Sequence, residues 1–282
     1  MSEPRAIALD RDVIAVTGPE SGTFLQGQLS QDVLALAEGG SAWSWLLAPN
    51  GKVDALLRVT RLPGEDWLLD TDAGWGEAAL TRLNRFKLRT KVDLSPSPLV
   101  VVGLRGPGWV TPPGAVAVMS PPWPHVEGAD VLCPPDTAAV LPAAAGDHEA
   151  DRILAGMPRM GAELDERTIP AETGLVPITV SFTKGCYTGQ ELVARIDSRG
   201  GNVPRRLRGL RFEPPPEGNG EVAPGDELVG EDGGPAGVVT SVARSERHGL
   251  VGLGYVRRGI GTADALQTRP ARVRAAQVEL EL

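Results

Sequence analysis

The apolar positions from Asp12 to Thr17 form a short run, and GPESGTFLQGQLSQDVLAL after it carries Phe24, Leu25, Leu29 and Val33 near helical spacing. A strand feeding a helix is expected there. SAWSWLLAPNGKVDALLRVTRL sets Asn50-Gly51 between two apolar runs, which predicts a β-hairpin whose two turn residues both take positive φ. PGED, Pro63 to Asp66, is a further turn and Trp67 to Asp70 a further strand. WGEAALTRLNRFKL places Ala79, Leu80, Leu83 and Phe86 on one helical face, and strands at Lys91 to Leu94 and Leu99 to Leu104 follow. Hairpins with helices laid across them indicate an α+β fold rather than repeating βαβ units. Gly106 to Pro142 is broken by PPG, PPWP and CPP, so irregular chain with short edge strands such as Asp130 to Leu132 is expected. A helix around Asp147 to Ala155 should stop at Gly156, with Pro158 just beyond.

The composition changes most sharply at EPPPEGNGEVAPGDEL, Glu213 to Leu228. The chain beyond is short, glycine-punctuated and valine-rich without a helical period, which suggests a small antiparallel barrel or sandwich. LRGLRF already opens that unit, so two domains are expected, residues 1–205 and 206–282. The 282 residues also exceed the size at which one core usually stops growing.

Hydrophobic content of 41% with 23% charged residues is that of a globular protein, and no window offers the run of apolar residues a membrane span needs. The start, MSEPRAIALDRD, has no basic region leading into an apolar stretch, so a cytoplasmic location is expected. A formal charge of −8 argues against direct nucleic-acid binding. Arg195, Arg199, Arg205, Arg206, Arg208 and Arg211 nevertheless cluster, either as a solvated face or as a site for a small anion. His125, His148 and His248 are scattered without ligand spacing, so no metal site is assigned. Cys133 and Cys186 are far apart in sequence, which disfavours a structural disulfide.

The stretch SFTKGCYTGQELVARIDSRGG surrounds Cys186. Thr188-Gly189-Gln190-Glu191 has the form of a capping box, so a helix should begin there with Cys186 just ahead of its positive end and Lys184 nearby. That setting can acidify a thiol; a lone cysteine packed under a helix start is the alternative. No histidine stands close in sequence to serve as its base, which disfavours hydrolase chemistry.

KGCYTGQE, comprising Lys184, Gly185, Cys186, Tyr187, Thr188, Gly189, Gln190 and Glu191, resembles the signature of the YgfZ-type folate-binding proteins. That family is related to the T protein of the glycine cleavage system, an aminomethyltransferase. RILAGMPRMGAELDERTIPAETGL, TGPESGTFLQGQLSQDV, APNGKVDALL and GVVTSVA also resemble it, so the likeness covers most of the chain, least of all Gly106 to Ala129. The resemblance implies two ferredoxin-like halves around a central cavity holding tetrahydrofolate or a one-carbon derivative, then a C-terminal β-barrel. It also implies an accessory role in assembling, repairing or maintaining iron–sulfur enzymes, with those enzymes or assembly factors as partners and Cys186 as the functional thiol.

On the same resemblance, Asp130 in GADVLCP takes the place of the T protein's acid that accepts the two pterin donors, with an exposed strand-end aspartate as the alternative reading. In GKVDALL, Asp54 is retained and Ala55 stands where a second carboxylate is found in the T protein. The incomplete pair counts against the second reading, a tetrahydrofolate-dependent one-carbon transferase. Arg152, Arg195 or Arg199 can meet the glutamyl tail; Arg152 is favoured by the resemblance, with an ion pair to Glu163 or Glu172 as its structural alternative.

Overall fold

The computed structural model describes residues 5–121, 127–141, 148–214 and 221–278, so His125 and Asp147 lie outside the described residues. In chain order the first strands and helices are β1 (Arg5–Leu9), β2 (Arg11–Thr17), α1 (Ser21–Gln28), β3 (Ser41–Leu47), β4 (Val53–Arg61), β5 (Trp67–Asp72), α2 (Gly76–Lys87), β6 (Asp93–Pro96), β7 (Val100–Arg105), β8 (Ala117–Met119) and β9 (Gly128–Cys133). Four helices follow, α3 (Pro135–Ala139), α4 (His148–Leu154), α5 (Val176–Thr179) and α6 (Gln190–Ser198). The chain ends in β10 (Arg205–Phe212), β11 (Glu227–Gly230), β12 (Pro235–Ser245), β13 (Gly249–Arg257), β14 (Leu266–Arg269) and β15 (Arg274–Val278).

These elements form a five-stranded antiparallel sheet, β3-β4-β5-β2-β6, a four-stranded one, β1-β7-β9-β8, and a closed barrel, β10-β13-β12-β11-β14-β15. The fold is α+β, with two sheets matching ferredoxin-like halves and a terminal barrel. Two compact units result: Met1–Gly146 with Glu166–Thr168 and Leu175–Arg195, and Asp147–Asp165 with Ile169–Gly174 and Ile196–Leu282. A contiguous division at residue 205 is therefore not how the chain groups, because α4 and the turn after it belong with the barrel. Arg152 donates to Glu163 (3.1 Å) and to Ser241 Oγ on β12 (2.7 Å), and Tyr255 on β13 donates to the Glu163 carbonyl (3.0 Å).

Strand alternation assigns the two faces of the five-stranded sheet. Ile14, Val16, Leu57, Val59 and Leu69 pack with Phe24 and Leu25 of α1 and Leu83 of α2 in one core. The intervening Val13 and Leu68 share a second core with Val101 and Leu132 of the four-stranded sheet. Arg11, Arg58 and Asp70 have the parity of that second face, and Arg105 and Asp130 lie on the facing side of the other sheet. The result is a buried chain of alternating charge. Arg11 pairs with Asp70, Arg58 bridges Asp70 (3.0 Å) and Asp130 (2.6 Å), and Arg105 takes the other oxygen of Asp130 (2.6 Å). Arg11 and Arg58 also lie over the Trp43 ring, at 5.2 and 5.4 Å. Burial opposes charge on both partners, yet the Asp70 and Asp130 carboxylates raise the Arg58 pKa, and Arg11 and Arg58 lower that of Asp70.

Two local expectations change. β9 is an interior strand between β7 and β8, not an edge, so Asp130 is 2% exposed rather than a solvent-facing strand end. The β3–β4 hairpin has positive φ only at Gly51 (+81°), not at Asn50. The Gly51 amide donates to the Ala48 carbonyl (2.8 Å), and the pairing register slips between Leu46 and Leu47. A four-residue turn closed by a left-handed glycine replaces the expected two-residue one.

Candidate functional site

The loop carrying Cys186 is fastened to α1 by Lys184. The last carbonyls of a helix have no partner within it, and they sit at its negative end. Lys184 Nζ supplies the missing donors, reaching the carbonyl oxygens of Gln26 (2.6 Å), Leu29 (2.5 Å) and Gln31 (2.9 Å), and lies 5.1 Å from the Tyr187 ring centre. Next to it the Thr188 amide donates to the Gly27 carbonyl (3.2 Å), and Ser30 ties back to the Thr179 carbonyl (2.6 Å). Lys184 thus serves as the loop's mount. Burial lowers its pKa to about 8, against the pull of Asp32, and burial raises that of Tyr187 to about 12.

The second fastening is a glycine pair. A Cβ on Gly189 (φ +83°) would lie 2.5 Å from the Ala48 carbonyl oxygen and 2.7 Å from Leu47 Cβ. A Cβ on Gly51 would collide with Leu192 and with the Gly189 carbonyl. The hairpin turn and the start of α6 therefore approach backbone to backbone, which explains both glycines by one contact. The expected Thr188–Glu191 capping box gives way to a bond one residue earlier: Gln190 Oε1 accepts from the Tyr187 amide (3.0 Å).

Between hairpin and helices sits Arg82 of α2. It donates to Asp54 (3.0 Å), Gln28 Oε1 (3.3 Å) and the Leu47 carbonyl (2.9 Å), and its guanidinium stacks 3.8 Å from the Phe86 ring centre. Burial raises the Asp54 pKa, with Arg82 opposing it. The pair is only part-buried, Asp54 at 29% side-chain exposure, and its Oδ1 accepts no hydrogen bond from the described residues.

Against this geometry the sequence-derived site residues separate. Cys186 is exposed on the fastened loop, whereas Cys133 is buried in β9 with its pKa raised by burial. A Cβ on Gly185 would meet nothing within 4 Å, so the chain beside the thiol is open. Asp54 is tied through Arg82 to Leu47, the residue against which Gly189 of the signature packs. Asp130 does not join them, because both carboxylate oxygens accept from buried guanidinium groups. Arg152 does not either: it is 6% exposed and bound to Glu149, Glu163, Ser241 and the Met157 carbonyl, the ion-pair alternative. No motif in the sequence marks Arg58, Arg105 or Arg82. A charge inside an apolar strand run, as in VDALLRVTR and VVVGLR, is the signal for the first two, since such residues are rarely buried unpaired.

Three stretches far apart in sequence thus meet: the end of α1, the hairpin and the loop KGCYTGQE, which also carries the exposed Cys186. The chain is 29% identical over 227 residues to a "tRNA-modifying protein YgfZ" of Pectobacterium carotovorum, covering 71% of this chain and 68% of that one. It is 29% identical over 240 residues to an "iron-sulfur cluster assembly factor IBA57 homolog, mitochondrial" of Mycosarcoma maydis, covering 76% and 59%. A protein of Haemophilus influenzae without an assigned function is 30% identical over 198 residues, 67% of each chain. The chain belongs to the YgfZ-type family. No family model matches it. The aminomethyltransferase T of the glycine cleavage system from Bartonella henselae superposes with a TM-score of 0.79 at 20% identity, over 98% of this chain and 85% of that one. That likeness establishes the T-protein fold for this YgfZ-type chain. Among the described residues no helix is long and apolar enough to cross a membrane.

Replacing Lys184 by methionine should leave three carbonyls short of a donor and cost about 2–4 kcal/mol, at ~1 kcal/mol or more for each lost partner. The pH dependence has a defined sign. With a folded pKa near 8 and an unfolded one near 10.5, the unfolded chain binds more protons between those values. The wild type should therefore gain stability over the variant as pH rises through that window, measured as the difference in urea midpoints. A constant difference would show that Lys184 does not titrate there.

Proposed function

We propose that this chain is a tetrahydrofolate-binding accessory protein that supports the assembly, repair or maintenance of iron–sulfur enzymes, acting through Cys186 in the cytoplasm. The observation that carries this reading is the exposure of Cys186 on a loop held from both sides by Lys184 and Gly189. A thiol so placed is presented to a partner rather than packed. That one of the relatives is named an iron–sulfur cluster assembly factor supports this class of partner.

The residues fit folate only in part. A reduced pterin offers adjacent N–H donors that call for an available carboxylate. Asp130 and Glu163 are taken by arginines; of these three acids, Asp54 is the one that is part-exposed with an oxygen open to a new donor. Asp54 would hold the ring, and Arg82 would fix the carboxylate in place. For transferase chemistry a second carboxylate beside it would be needed, and Ala55 is buried in the core of the sheet. The accessory reading is accordingly preferred over aminomethyl transfer.

Calorimetric titration with tetrahydrofolate should give saturable one-to-one binding. Asp54→Ala should weaken it about tenfold, the loss of one charge-assisted contact. Absence of saturable binding in the wild type would sink the folate assignment, and unchanged affinity in the variant would remove Asp54 from the site.

A further inference from the structure

The arginine cluster of β10 and β13 has no part in the site above. On β10, Leu210 and Phe212 point into the barrel core, so Arg206 and Arg208 share their inward parity near the strand's beginning. On β13, Val256 belongs to that core and pairs with Arg206, and Arg258 continues its parity just past the strand. One end of the barrel is thereby floored by Val256 and Ile260 and rimmed by arginines. A cavity of about 110 Å³ opens there, bordered by Arg206, Arg208, Arg257 and Arg258 and by no acidic residue.

Among the described residues none of these four guanidinium groups forms an ion pair, and Arg206 alone spends an N–H on a neighbour, the Gly201 carbonyl (2.7 Å). Four unpaired cations around one small hollow repel each other, and the cost is offset when an anion occupies it. By contrast Arg205, on the same strand, is matched to Glu172, and Arg82 to Asp54. The protein as a whole carries −8, so its long-range field opposes an extended polyanion. A compact dianion meets the arginines and avoids most of that repulsion. Planar guanidinium forks match the paired oxygens of a tetrahedral phosphate.

We propose that this end of the barrel is a binding site for a phosphate monoester or inorganic phosphate. The test is titration of the full chain with inorganic phosphate, then with a nucleoside monophosphate, at fixed ionic strength set by chloride. NMR or calorimetry reads saturation. Expected is saturable binding of both ligands, weakened roughly tenfold by Arg208→Gln and further by adding Arg258→Gln. Arg244→Gln, on β12 and outside the hollow, should leave affinity unchanged, and urea midpoints show that the variants stay folded. A response that follows ionic strength alone, or that survives the double substitution, overturns the site. So does binding of a single-stranded oligonucleotide lacking terminal phosphates when neither phosphate ligand binds, since that would mark an extended backbone surface.

Discussion

Asp130→Asn should lower stability by about 3–5 kcal/mol, the penalty for removing one partner of a buried ion pair and leaving the others uncompensated. Arg58 would keep Asp70, but Arg105, 1% exposed, would lose the Asp130 carboxylate. The double variant Arg105→Met/Asp130→Asn should regain much of the loss, because charge leaves the interior in balance. Urea denaturation of the two single variants and the double one measures this as a coupling energy. The outcome separates two roles for Asp130. An acid facing a pterin would cost affinity and little stability when changed; additive losses in the cycle, with affinity reduced, would restore that role.

Cys186→Ser should abolish the protein's support of iron–sulfur enzymes in cells lacking the native chain, while its urea midpoint stays within about 0.5 kcal/mol of wild type, as for an exposed position. The comparison of the two cysteines provides an internal control. In the native protein a thiol reagent should titrate one group per chain, Cys186, and Cys133 should react only after unfolding, since it is wholly buried in β9. Full enzyme support by the serine variant would assign Cys186 no chemical part. Reaction of two thiols in the native state would mean that β9 opens.

Much of the fold was legible because its elements are locally determined. The periods of WGEAALTRLNRFKL and of the apolar runs around Asn50-Gly51 correspond to α2 (Gly76–Lys87) and to β3 and β4, and Gly156, at φ +68°, follows α4 as a helix-ending glycine. What was not legible depends on pairing across the chain. Asp130 to Leu132 reads as an edge strand while its two neighbours are unknown, and Asp130 then reads as exposed. Only the pairing of β9 with both β7 and β8, and the arrival of Arg58 from another sheet, bury it. Arg152 shows the same dependence: its partner Ser241 lies 89 positions away, beyond any local pattern. The signature was recognisable as a string, but its reasons are distributed over α1 and the hairpin. Lys184 reads locally as a charge placed to acidify a thiol, and its contacts are carbonyls from the last turn of the first helix and the chain just after it.

Because Lys184 and Gly189 hold the loop through its backbone and through α1, the sulfur of Cys186 is no part of what keeps the fold together. Oxidation, exchange or capture of that atom by a partner leaves every fastening in place. A change confined to that sulfur therefore has no structural route to unfasten the loop.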